Sequence, residues 1–102
     1  MKVEMTFNDA AVIASGYQKQ DIYQTIKSAF TKRGLLCSSD NDVLSFEDTG
    51  HENDYAYMWK VIISLLKSDW FVACAASCIF FDDDESEEDV LSQAWKVQRR
   101  MA

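Results

Sequence analysis

The sequence predicts an α+β domain: a single antiparallel sheet packed by helices, in the order β-α-β-β-α-β-α. Three observations carry this. Residues 2–7 alternate apolar and polar side chains, as a half-buried strand does. Two stretches, 17–33 and 54–67, repeat apolar residues at helical spacing. Residues 35–46 hold two short apolar runs around a turn-forming cluster.

Each element has a local reason. In the first strand Val3, Met5 and Phe7 share one face, and Lys2, Glu4 and Thr6 the other. Asn8 and Asp9 tolerate left-handed backbone and mark a turn. Residues 10–15 suit a second short strand or a helical turn, the turn being preferred. In the first helix Ile22, Ile26, Ala29 and Phe30 recur at helical spacing, Ser15 caps the start and Gly34 stops it. Lys32 and Arg33 fall in its last turn, where the helix dipole favours cations. Leu35, Leu36 and Cys37 and then residues 43–46 flank Ser38-Ser39-Asp40-Asn41-Asp42, which reads as a hairpin. Asn53 caps a second helix whose stripe is Tyr55, Trp59, Ile62, Ile63 and Leu66, with Ser68-Asp69 breaking the pattern.

Residues 70–81 are rich in aromatics, Val and Ile around a centre of small residues. They read as a strand buried on both faces, although periodicity alone does not separate such a run from a helix. A third helix is expected over 87–100. Ser86 caps it, acids fill its first turn, and Arg99 and Arg100 its last. Its apolar side is Val90, Leu91, Ala94, Trp95 and Val97.

The first six elements match the split β-α-β arrangement of ferredoxin-like folds, with the third helix as a C-terminal addition. That order places the strand 70–81 at a sheet edge. A long apolar edge strand needs a cover, from the third helix, a second copy or a partner.

At 102 residues the chain is one domain, 1–102, able to bury roughly two-thirds of its unfolded surface. Its 48% hydrophobic content is ordinary for a globular protein. Met1-Lys2-Val3-Glu4 lacks the apolar run of a signal peptide. The longest uncharged, mostly apolar stretch, 70–81, is 12 residues, against the roughly 20 a spanning helix needs. Three cysteines are an odd number for a disulfide framework. The expectation is a cytoplasmic protein with no membrane contact.

Charge distribution is the sharpest functional signal. Thirteen of the 17 acids lie in two windows, 40–54 and 82–89, and neither window holds a Lys or Arg. The other 79 residues carry four acids and ten bases, so a net charge of −7 is two anionic patches on a mildly basic body. Concentrated carboxylates steer cationic partners and repel nucleic acid, whose binding rests on backbone contacts. Asp40, Asp42, Glu47, Asp48 and Glu52 are candidate partner-binding residues in the first window. Asp82, Asp83, Asp84, Glu85, Glu87 and Glu88 are their counterparts in the second, and exceed what one helix start can use.

The remaining constellations are weaker. Cys37, His51, Cys74 and Cys78 are a zinc-compatible set of residue types without the paired short spacings of a zinc site, and buried Cys more often acts as a small apolar residue. His51 stands among Asp48, Glu52 and Asp54 with no nucleophile in a recognisable context, so it reads as a solvated loop residue. Asp40-Asn41-Asp42 begins like an EF-hand loop, but Leu44 takes the fifth position and Ser45 the obligatory glycine position. No glycine-rich phosphate cradle is present, and helix-dipole complementation accounts for Lys96, Arg99 and Arg100. Neither a metal nor a cofactor is expected.

The expected function is a small acidic protein-interaction module without catalytic role, of the inhibitor or immunity-protein kind. Such a protein neutralises a basic, nucleic-acid-acting partner through clustered carboxylates. The alternative is a self-associating structural domain, a homodimer paired through residues 70–81. An enzyme or metal protein built on the Cys/His set ranks third.

Overall fold

The computed structural model describes residues 1–94. Five strands form one antiparallel sheet: β1 (Lys2–Phe7), β2 (Leu36–Asp40), β3 (Leu44–Glu47), β4 (Ala75–Phe81) and β5 (Glu87–Asp89). Their order across the sheet is β2-β3-β1-β4-β5. Four α-helices join them: α1 (Asp9–Ala14), α2 (Lys19–Thr31), α3 (Asp54–Leu66) and α4 (Asp69–Cys74). The class is α+β. Strand β3 lies between β1 and β2, as a split β-α-β arrangement requires.

Side-chain alternation decides which face is covered. Val3, Met5 and Phe7 of β1, Leu44 and Phe46 of β3, and Cys78 and Phe80 of β4 all point into the core. The helices meet them with Val12, with Ile22, Ile26 and Phe30, with Met58, Val61, Ile62, Leu65 and Leu66, and with Phe71 and Cys74. Phe30 stacks on Phe46 with ring centroids 4.1 Å apart, fixing α2 over the β2–β3 side of the sheet. All four helices therefore lie on one face. Among the described residues, nothing packs on the other.

Several local expectations change. Residues 9–14 are helical, in line with the preferred reading of 10–15, and Asn8 caps this α1, its Oδ1 accepting the Ala11 N–H at 3.0 Å; what changes is Ser15, which closes α1 rather than opening α2. Gly34 stops α2 as expected, but the helix ends at Thr31, so Lys32 and Arg33 follow its last turn rather than fill it. Gly34, at φ +82°, closes a Schellman turn in which the Leu35 N–H reaches the Phe30 carbonyl at 3.2 Å. The buried stripe of α3 is rotated from the one predicted, with Met58, Val61 and Leu65 inside and Tyr55 and Ile63 outside.

Residues 70–81 are not one strand. Phe71 and Cys74 are buried at helical spacing, and Cys78 and Phe80 at strand spacing, so the period changes from about 3.6 to 2 at Ala75. The predicted helix over 87–100 is also corrected across 87–93. Residues 87–89 pair with β4 as β5, Leu91–Gln93 form a 3-10 turn, and residues 95–100 lie outside the described residues. Backbone pairing with β4 takes the place of the expected helix start: as an edge strand, 87–89 turn Glu88 to the covered side and leave Glu87 and Asp89 on the other face. The observed order is thus β-α-α-β-β-α-α-β-β, and the strand expected at an edge is flanked by β1 and β5.

Candidate functional site: the acidic open face of the sheet

The uncovered face is built from alternate strand residues. Register places Leu36, Glu47, Lys2, Phe81 and Glu87 in one row across all five strands. The next row runs Ser45, Glu4, Ile79, Asp89. Beyond these, hydroxyls pair across strands, Thr6 with Ser77 and Ser38 with Ser45, each at 2.6 Å. Among the described residues, Lys2 is the only base in a strand. Its ammonium lies 2.9 Å from Glu4 and 5.1 Å from the centroid of the Phe81 ring. The Glu4 hydrogen bond, foremost, holds its pKa above the usual lysine value.

The two acidic windows meet at the Lys2 end of this face. Asp48 and Asp83 both accept hydrogen bonds from the Met1 ammonium, the Asp48 contact being 2.9 Å. Those carboxylates, Asp83 foremost, raise the ammonium pKa. A shallow depression there is lined by Met1, Lys2, Glu47, Asp48, Phe81 and Asp82. Glu47, Asp48, Asp82, Asp83 and Glu87 therefore converge, although they are up to 40 positions apart in sequence.

The turn joining β4 to β5 gives the second window its shape. Asp82 accepts the Glu85 N–H through its carbonyl at 3.2 Å, and Glu85 sits at φ +68°. Asp84 accepts from both the backbone N–H (3.0 Å) and hydroxyl (2.5 Å) of Ser86. The hydroxyl bond, foremost, holds the Asp84 carboxyl below the usual range. Glu88 points to the other side of the sheet and accepts from Gln93 at 2.8 Å.

The other predicted residues lie elsewhere. Asp40 and Asp42 sit at the far end of the β2–β3 hairpin, where Asp40 pairs with Lys27 at 3.0 Å. Asp40 is opposite Leu44, three residues and about 10 Å along β3 from Glu47. Glu52 is exposed in the loop before α3. Asp54, in the same window, is only 2% exposed. Its Oδ2 accepts from the Thr49 N–H (2.8 Å), the Thr49 hydroxyl (3.3 Å) and the His51 N–H (3.2 Å), so it ties the loop and faces no partner. Sequence reasoning missed Glu4, Asp89, Ile79 and Phe81 as members of the face. The alternation of residues 2–7 was the available signal for Glu4.

The Cys/His set does not assemble into a site. Cys74 and Cys78 are buried in the core, Cys37 is half-buried on β2, and His51 is exposed in its loop. Among the described residues, no three His, Cys, Asp or Glu side chains gather as metal ligands would. The Thr49 hydroxyl and the Asp54 carboxylate both approach the same His51 atom, Nδ1, at 2.8 and 3.9 Å. A catalytic relay needs the two partners on opposite nitrogens. No helix among the described residues is long and apolar enough to cross a membrane. Comparison with protein families, with curated proteins and with solved structures finds no match to this chain.

Proposed function

We propose that this protein is a non-catalytic interaction module that presents the open face of its sheet to a basic surface on another protein. It acts in the manner of an inhibitor or immunity protein against a nucleic-acid-acting partner. The observation supporting this most is the convergence of Glu47, Asp48, Asp82, Asp83 and Glu87 on a face that no described element covers. A groove that binds nucleic acid must be basic, so clustered carboxylates can fill it and accelerate encounter. Leu36, Ile79 and Phe81 lie among the acids in the same two rows. Apolar and aromatic contacts inside a polar rim are what a protein interface uses for affinity once steering has brought the partners together.

Affinity capture from a nuclease-treated host lysate tests this, with wild type and a Glu47→Gln/Asp83→Asn/Glu87→Gln variant as baits. The expected result is one basic protein held by wild type at low salt and lost from the variant. Equal recovery on both baits, or no basic protein on either, would remove the proposal. Pairing of two copies through residues 70–81 has less support. Residues 70–74 of that stretch belong to α4, and residues 79–81 of β4 already pair with β5.

A further inference from the structure

The opposite side of the molecule carries a site of opposite sign. Helices α2 and α3 lie side by side on the covered face of the sheet, and a groove of about 580 Å³ opens between them. Lys32 and Arg33 line it from the end of α2, and Tyr57, Lys60 and Ser64 from α3, over Val61. Among the described residues, no carboxylate lines it. The ion pairs of the described residues use the Met1 ammonium, Lys2, Lys19, Lys27 and His51, so the three groove cations have no acidic partner among them. The Arg33 guanidinium lies 5.6 Å from the centroid of the Tyr57 ring.

Helix-dipole complementation accounts for Lys32 and Arg33, which follow the last turn of α2. It does not account for Lys60. That residue stands in the middle of α3, beyond the one turn over which the dipole acts, and projects into the same groove. Three exposed cations thus line one concavity in a chain of net charge −7, and their fields add there to favour an anion. We infer that the groove between α2 and α3 binds a soluble small molecule bearing two or more phosphoryl groups. The planar fork of Arg33, docked on Tyr57, suits bidentate contact with phosphoryl oxygens, while Lys32 and Lys60 act as point charges. The volume falls within the range of small-ligand sites, about 300–1,000 Å³. A concave groove favours a soluble ligand over the headgroups of a flat membrane surface. The site is independent of the acidic face, on which the proposed partner docks.

The test is an amide NMR titration of the full 102-residue chain at low salt, with inorganic triphosphate as the probe. The expected result is saturable shifts confined to residues 29–33 and 57–64, with a dissociation constant below about 1 mM. Arg33→Gln and Lys60→Gln should each weaken binding by about tenfold or more. Lys67→Gln, at the C-cap of α3 and outside the groove, should leave binding unchanged. Shifts that do not saturate, that sodium chloride alone reproduces, or that persist in Arg33→Gln and Lys60→Gln would overturn the site. A glutamate-rich peptide binding as tightly as triphosphate would overturn the phosphate assignment. Co-sedimentation with phosphatidic acid vesicles, without binding of soluble triphosphate, would overturn the soluble ligand.

Discussion

Asp54 shows how one buried carboxylate organises the loop before α3 without belonging to the candidate site. The Thr49 N–H, foremost, holds its carboxyl below the usual carboxylate range, with burial opposing and the His51 N–H and Thr49 hydroxyl adding to the effect. A carboxyl lowered on folding contributes stability above its unfolded value, near 3.9, and loses it as pH falls through the folded value. Urea midpoints should therefore show Asp54→Asn well below wild type at pH 7, with the gap closing under acid conditions. A gap unchanged between neutral and acid would rule out this role. The cysteines make a second residue-scale test. Burial pushes the Cys78 thiol up to about 12, whereas Cys37 is half-buried at the edge strand. In the native protein a maleimide should label Cys37 first, with Cys74 and Cys78 reacting only after denaturation. Rapid labelling of Cys78 in the folded state would contradict its placement. The residue types made these cysteines legible as core. They gave no hint that Asp54, alone among six acids of its window, turns inward, because that depends on backbone N–H groups five and three residues upstream.

At the scale of elements, strands and helices set by strict periodicity were legible. Residues 2–7 alternate along their whole length, and Ile22, Ile26 and Phe30 mark α2 without ambiguity. Residues 70–81 were not, because two periods share one apolar run and no Gly or Pro marks the junction. The run 82–89 misled for a different reason. Clustered acids favour a helix N-terminus through the dipole, but here they form a turn and an edge strand that separates their charges. The left-handed backbone of Glu85 is the cost of that turn. Glu85→Gly should raise stability by about 0.5–1 kcal/mol, since glycine adopts φ near +68° without a Cβ clash. Gly34→Ala should lower it by about 1 kcal/mol, for the same reason reversed, in the Schellman turn that ends α2. Equilibrium denaturation reads both, and a destabilised Glu85→Gly would show that the turn is held by more than its backbone angle.

Across the whole molecule, charge is sorted by face. Carboxylates from both windows surround one end of the open sheet face, while Lys32, Arg33 and Lys60 gather between the helices on the other side. The sequence disclosed the two windows but not their union, which depends on β1 lying between β3 and β4 so that Glu47 and Phe81 both flank Lys2. Strand order is a tertiary property, and no local pattern encodes it. Under the proposed function, the field of this face acts on a partner beyond contact distance and is screened by salt over about 10 Å at 0.1 M. The measurement that tests this most directly is the association rate constant with the captured basic partner as a function of ionic strength, for wild type and the Glu47→Gln/Asp83→Asn/Glu87→Gln variant. Steering by the open face requires a steep fall with salt for wild type and a flatter one for the variant, the two converging at high salt with dissociation changed much less. Parallel salt dependences for the two proteins would contradict it.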